Sequence, residues 1–334
     1  MQEKIDFVIM WVDGSDPAWI EEKNKYLDKK IDTSNAINRY RDMGVLKYWF
    51  RGVEKFTPWV NKIHFVTWGH VPAWLNTDNP KLNIVKHEYF IPKKYLPVFN
   101  SDAIEIHLHR INGIADKFVY FNDDMFITKP LKKEFFFKNG LPCDLWRDNI
   151  PYCDKDTDPL FEHILLNDKM LICRHFNKRE VIKKNFSKCF NLKYGKRNIR
   201  FLLLYKWTYM AGFDNFHTAA PFLKQTFNDV WEKNFNELET TAKNKFRDVS
   251  DINQYVFQLW QIYTGNFTPK SIKETGSFFN LSDDNSELFN VIDEQKTDVL
   301  CINDSNLSID YEKATKELAE HFDKILPDKS SFEK

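Results

Sequence analysis

Phe118-Val119-Tyr120-Phe121-Asn122-Asp123-Asp124 is an apolar run of strand length that ends in an amide and two adjacent carboxylates. A short apolar run stopped by polar residues reads as a strand buried on both faces. In open α/β sheets, ligands gather outside the carboxyl ends of the strands. Two carboxylates at that place offer oxygen ligands. Oxygen suits Mg²⁺ or Mn²⁺, which bind through one or two carboxylates together with a substrate's phosphates. The same residues serve equally well as turn or cap groups.

Upstream, strands and helices alternate. Ile5 to Val12 reads as a buried strand, stopped by Asp13-Gly14-Ser15-Asp16-Pro17. Pro17 suits a first helical turn with Asp16 as its cap. Asp42 is expected to cap the next helix, whose apolar stripe is Leu46, Trp49, Phe50, Val53 and Phe56. Ile63 to Thr67 and Asn83 to His87 read as strands. Asp102 and Glu105 form a capping-box-like pair for a helix reaching about Asn112. This alternation implies an α/β fold: a mostly parallel, Rossmann-like sheet with helices on both faces. Downstream, the spacing predicts a mostly helical insertion from Leu131 to Arg200, a buried helix or strand over Phe201 to Phe213, and a helix over Ile252 to Ile262. Thr268 to Lys296 reads as a loop, Asp298 to Ile302 as a last strand, and Asp310 to Ile325 as a helix.

The bulk properties narrow the function classes. A hydrophobic content of 43% over 334 residues excludes a disordered chain. Forty-eight basic and 48 acidic residues give a net charge of +0, which argues against a nucleic-acid partner. Basic patches occur locally at Lys178-Arg179, Lys183-Lys184 and Lys193 to Arg200. No apolar stretch reaches membrane-spanning length, and Phe7 to Val12 is too short for a secretory core. Five cysteines, odd in number and widely spaced, form neither a disulfide framework nor a zinc pattern. A reducing, cytoplasmic setting is the expectation, with peripheral attachment at the inner face of a membrane left open. The phosphate-binding P-loop and the G-x-G-x-x-G turn are both absent.

Other residues carry chemical potential. Asp6 sits inside an apolar strand. Arg39 and Arg41 place two guanidinium groups before a helix, where they can fork onto phosphate or form a solvated charge cluster. Ser101, Glu105 and His109 recur every four residues and would share one helical face, lining a cleft or facing solvent. His217, between aromatic and small residues, is a general-base candidate or a structural histidine. Arg247 lies where it can face a phosphate, and Asn303-Asp304 closes the last strand with further oxygen ligands.

Taken in order, these residues resemble the Stealth family of bacterial capsular-polysaccharide phosphotransferases, relatives of the animal N-acetylglucosamine-1-phosphotransferase. Ile5 to Asp16 resembles the family's first region. Asn38-Arg39-Tyr40-Arg41-Asp42, Thr57-Pro58-Trp59-Val60, Val71 to Leu75, Phe99 to Glu105, His109-Arg110-Ile111 and Phe121 to Asp124 resemble the second. Phe216-His217-Thr218-Ala219-Ala220-Pro221 to Arg247 resembles the third, and Cys301 to Asp304 the fourth. A second histidine common near His217 in the family is replaced by Ala219-Ala220-Pro221 here.

The resemblance implies transfer of a sugar-1-phosphate from a nucleotide-diphosphate sugar, UDP-linked for preference, to a polysaccharide or oligosaccharide acceptor. It implies a nucleotide-diphosphosugar transferase-like core over 1–130, an insertion or cap over 131–200, and the remainder of the core over 201–334. It further implies His217, Asp124 and Arg247 as catalytic groups, with Asp124 as the second choice for general base. Asp6, Arg39, Arg41, Ser101, Glu105, His109 and Asn122 would bind substrate, and Asp123, Asp124 and Asp304 would hold Mg²⁺ or Mn²⁺. Membrane or capsule-assembly partners are compatible with it. The rival readings are a metal-dependent glycosyltransferase and a non-catalytic sugar-binding module.

Overall fold

A computed structural model describes residues 3–27, 40–151, 153, 155, 157–304 and 308–334. Strand β1 (Asp6–Met10) is followed by helices α1 (Pro17–Asn24) and α2 (Leu46–Phe56). Strands β2 (Ile63–Thr67) and β3 (Leu82–Lys86), helix α3 (Ser101–Glu105) and strand β4 (Lys117–Asn122) come next. After the acidic turn come β5 (Met125–Ile127), β6 (Phe137–Lys138), β7 (Leu141–Asp144) and β8 (Asp148–Asn149). Helices α4 (Pro159–His175), α5 (Lys178–Lys184), α6 (Phe186–Cys189) and α7 (Arg197–Leu204) then lead to β9 (Gly212–Phe213) and β10 (Ala220–Leu223). Helices α8 (Lys224–Lys233), α9 (Phe235–Lys243) and α10 (Tyr255–Tyr263) precede β11 (Thr268–Pro269) and β12 (Ser277–Asn280). Helix α11 (Ser286–Asp293), β13 (Val299–Asn303) and α12 (Tyr311–Ile325) follow.

The main sheet has the order β10-β4-β1-β2-β3 and is parallel except for β10 at its edge. Side chains alternate across it as the pleat requires. Val8, Phe118 and Tyr120 enter one core, while Phe7, Ile9, Val119 and Phe121 enter the other. Both faces are covered, which explains why these strands read as unbroken apolar runs. The α/β, mostly parallel architecture expected from the sequence is therefore the one observed. A second sheet, β12-β13-β5, pairs β13 antiparallel to β5. Asp123 and Asp124 form the turn joining β4 of the first sheet to β5 of the second.

Helix α2 lays its expected stripe on this junction, with Leu46, Trp49, Phe50, Val53 and Phe56 all buried. A Cβ at Gly52 would lie 2.7 Å from the Ile127 carbonyl oxygen, so glycine there lets α2 rest directly on β5.

Five local expectations need correction, and one holds. Asp16 caps α1 as anticipated, accepting from Ala18 N at 2.8 Å and Trp19 N at 3.0 Å. Asp42 does not cap α2, whose first residue follows Val45; Asp42 instead closes a tight turn by accepting from Gly44 N at 2.9 Å. The helix expected to reach Asn112 stops at Glu105 and is capped by Asn100. There the His107 ring, through Nδ1, takes the Ala103 carbonyl at 2.8 Å, and such side-chain competition for backbone groups interrupts helices. The segment 268–296 is no loop: it contains β12, paired with β13, and α11. Alternating exposure along β12 and its polar flanks hide that strand from a periodicity reading. Finally, 131–200 opens with three short strands before its helices, and 201–213, expected to be buried, divides between the end of α7 and β9 with Leu202, Leu203, Trp207 and Tyr209 exposed.

Candidate active centre

Parallel pairing of β1 with β4 brings Met10 beside Asn122, so both strands deliver their carboxyl ends to one rim. The chain then turns through Asp123 and Asp124. β13 fixes this turn from below: Ile302 N donates to the Asp124 carbonyl at 2.9 Å, and Met125 stands opposite Cys301. Asp124 is thus held by residues almost two hundred positions away in sequence.

His217 enters from the segment before β10. Its Nε2 lies 3.3 Å from Asp124 Oδ2 and 3.4 Å from Asn122 Nδ2. Burial alone would lower the imidazole pKa, but the Asp124 carboxylate outweighs it and the net shift is upward from 6.5. Glu105 pulls in the same direction and the Arg247 guanidinium against it, so both charges lie within electrostatic reach of His217. Arg247 Nη2 donates to Ser101 Oγ at 2.7 Å, and its Nε lies 3.6 Å from Asp102 Oδ2. The sequence-predicted groups Asp124, His217, Asn122, Ser101, Glu105 and Arg247 therefore share one site.

Glu105 forms the rear wall. Its Oε1 accepts from the Tyr120 hydroxyl at 2.9 Å and its Oε2 from Gln254 N at 3.1 Å. Burial raises its pKa, with the Asp102 carboxylate adding to the shift. The Tyr120 hydroxyl also contacts Asn122 Oδ1, which orients that amide with its nitrogen toward His217. Sequence reasoning passed over Tyr120 as a core residue. Its position two residues before Asn122, on the same strand face, was the available signal.

On the other side of the turn, Asp123 is pushed up to about 8 by burial, then by the neighbouring carboxylates of Asp124 and Asp42. Asp124 Oδ1 is buried without a hydrogen-bond partner among the described residues. A carboxylate oxygen left bare beside a second acid that resists ionising is an arrangement a cation relieves. Among the described residues, the group whose ligand atoms lie within 4.8 Å of one another is Asp124, His217 and Cys301. The Cys301 thiol is pushed well up by burial and then by Asp124, and it donates to Asp124 Oδ2 at 3.4 Å. A neutral thiol in that posture steadies a carboxylate. The oxygen that this group offers a hard cation comes from Asp124.

Asp304 does not join that group. Its two oxygens accept from Arg41 Nε at 2.8 Å and Nη2 at 2.7 Å, and the Arg41 guanidinium lies 3.5 Å from the centroid of the Tyr311 ring. Arg41 and Asp304 are thus brought together as a fixed ion pair near the acidic turn, where Tyr311 feels Asp42 and Asp123 as well. Arg39 lies outside the described residues.

Two expected substrate residues stand elsewhere. Asp6 is at the amino end of β1, the opposite end of the sheet. Its Oδ1 accepts from Asn61 Nδ2 at 2.6 Å, and its Oδ2 accepts from Ala115 N at 2.8 Å and lies 3.0 Å from His64 Nε2. It is a fully satisfied structural carboxylate. His109 is not on the face shared by Ser101 and Glu105, because the helix ends first. It is buried between Phe227 and Trp231, and burial, with Arg110, pushes its pKa down to about 3. It is a neutral core histidine.

Known proteins resemble this chain along its whole length. The sequence profile described as Stealth protein CR1, conserved region 1, matches residues 3–31, and that described as Stealth protein CR2, conserved region 2, matches residues 39–143. The capsular polysaccharide phosphotransferase WcwK of Streptococcus pneumoniae is 40% identical over 99% of this chain and 98% of its own length. The receptor polysaccharide phosphotransferase WefC of Streptococcus gordonii is 40% identical over the whole of both chains. A crystal structure of the galactosyltransferase LgtC aligns with 94% of this chain and 95% of its own at 13% identity, but with a TM-score of 0.36 it carries no weight. On its end-to-end identity with these phosphotransferases and its match to both conserved regions, the chain belongs to the Stealth family.

Proposed function

We propose that the chain transfers a sugar-1-phosphate from a nucleotide-diphosphate sugar to a hydroxyl of a surface-polysaccharide acceptor, releasing nucleoside monophosphate. The observation that carries this reading is the meeting of His217 with Asp124 and Asn122 at the carboxyl rim of the sheet, within the field of Arg247. Relatives that align with the whole chain bear the name phosphotransferase.

In the proposed step the acceptor oxygen attacks the sugar-bearing β-phosphorus. Its proton passes to His217 Nε2, and the bond from the β-phosphorus to the bridging oxygen breaks. Phosphoryl transfer asks a protein mainly for positioning and charge neutralisation. Asp124 faces the same imidazole nitrogen and stabilises the imidazolium once the proton arrives. Arg247, tethered by Ser101 and Asp102, faces charge growing on the equatorial oxygens. The Arg41 fork, held by Asp304 and Tyr311, positions the nucleotide end of the donor. Asp123 and Asp124 are the residues that would hold Mg²⁺ or Mn²⁺. Such an ion, when bound, neutralises the diphosphate and its leaving oxygen.

Incubation with a panel of uridine-, cytidine- and guanosine-linked sugars, an oligosaccharide acceptor and Mg²⁺ tests the reading. Nucleoside monophosphate as the chromatographed product is the expected result. Release of nucleoside diphosphate would overturn it in favour of glycosyl transfer.

A further inference from the structure

From Val181 to Phe213 the chain contains eight lysines and arginines and no aspartate or glutamate, although the whole molecule has a formal charge of +0. Helix α7, inside this stretch, is apolar on two faces. Phe201 and Leu204 turn inward at 4% and 2% exposure. Ile199, Leu202 and Leu203, spaced three and four apart, stand in solvent at 63%, 54% and 72%. A surface helix ordinarily directs polar residues outward.

The neighbouring segments are tied to this helix and share its character. Asn198 Nδ2 donates to the Asn191 carbonyl at 2.8 Å, fixing beside α7 the turn that carries Leu192, which is 91% exposed. Lys178 N donates to the Thr208 carbonyl, and Lys178 Nζ to that of Leu204, both at 2.8 Å. These bonds join α5, with exposed Lys183 and Lys184, to the strip bearing exposed Trp207 and Tyr209. Lys196 and Lys206 are also exposed.

Protruding leucine and isoleucine, flanked by tryptophan and tyrosine and ringed by lysine, make the composition of an interfacial element. The excess of lysine over the one exposed acid of α5, Glu180, matches a negatively charged surface, and the depth of exposure matches acyl chains. We propose that this face docks on an anionic phospholipid bilayer. Among the described residues no helix is long and apolar enough to cross a membrane, and the proposed contact is with the bilayer surface. The docking face is wired to the candidate active centre. Arg197 and Arg200 both pair with Asp214, three residues before His217, and the Arg197 guanidinium lies 5.0 Å from the centroid of the Phe216 ring. The proposal stands apart from the reaction, because its readout is lipid binding.

The full chain is floated with vesicles of phosphatidylglycerol and phosphatidylcholine, and with phosphatidylcholine alone. Two triple variants accompany it: Leu192→Ser with Ile199→Ser and Leu203→Ser, and Lys183→Glu with Lys184→Glu and Lys196→Glu. All six positions are exposed, so circular dichroism and melting should match the parent. The expected result is flotation with the anionic vesicles only, weakened by salt, and reduced at least about tenfold in each variant. Failure of the parent to float with anionic vesicles at low salt would overturn the proposal, as would undiminished flotation of both variants. A lipid-free dimer that either variant abolishes would also overturn it, assigning the face to a second copy of the chain.

Discussion

The central sheet carries an acidic group at each end, and the two ends are built on opposite principles. At the amino end, Asp6 is surrounded by donors from Asn61, His64 and Ala115, and despite burial these bonds hold its carboxyl below the usual range. At the carboxyl end, Asp123 is crowded by Asp124 and Asp42, and Asp124 leaves one oxygen bare. The first carboxylate is finished by the protein itself. The second pair is unfinished, and an unfinished buried charge costs stability unless something outside the chain completes it. The contrast separates a structural acid from a functional one more sharply than sequence position does.

The strongest way to break this contrast is to exchange the two effects. Asp124→Asn should reduce transfer by at least about 3 kcal/mol of transition-state stabilisation, or 100-fold, while the cation-free variant melts no lower than the cation-free parent. His217→Ala should fall in the same range by loss of the general base. Steady-state turnover near normal in either variant erases the functional half of the comparison. Asp6→Ala should do the reverse. It strands the Ala115 amide and the Asn61 and His64 side chains, lowering unfolding free energy by about 3 kcal/mol in urea titration while folded molecules keep their turnover.

Divalent cation sharpens the comparison next. Saturating Mg²⁺ or Mn²⁺ should stabilise the parent by about 2–3 kcal/mol at a hundredfold excess over Kd and leave Asp6→Asn equally responsive. The stabilisation should vanish in Asp123→Asn and Asp124→Asn, and calorimetry reads this without any turnover. The smallest effect is in pH dependence. The folded pKa of Asp123, about 8, exceeds its ordinary 3.8, so its protonation favours folding in acid and that contribution is lost as pH rises toward 8. Without cation, Asp123→Asn should therefore gain on the parent by about 1 kcal/mol between pH 5 and 8, discounted for partial exposure. Asp6 has the opposite sign. Its contribution is present above 3.8 and lost as pH falls through the lowered folded value, so Asp6→Asn should flatten the acid limb of the stability curve.

Much of this architecture was legible in the chain. The strands β1, β2 and β4 are mostly apolar because both faces are covered, and α2 declares itself through its stripe. The partners Asp124, His217 and Arg247 were legible through the family resemblance, while their closeness depends on pairing between distant strands. Illegible were features decided by a single local contest or by tertiary contact. The helix whose periodicity continued to about Asn112 stops at Glu105, where the His107 ring donates to the Ala103 carbonyl. Asp6 looked functional because its three donors come from Asn61, His64 and Ala115, which no window around Asp6 contains. Tyr120 was indistinguishable from its aromatic neighbours until Glu105 appeared behind it. Cys301 gained meaning only from its register opposite Met125.

That register has a consequence for the order of events during biosynthesis. The backbone at Asp124 is pinned by Ile302, and the thiol that steadies its side chain is Cys301. A nascent chain synthesised no further than residue 300 has therefore made Asp123, Asp124, His217 and Arg247 but not this brace. Such a nascent polypeptide carries the acids without their scaffold, which is complete only once β13 emerges and closes onto β5.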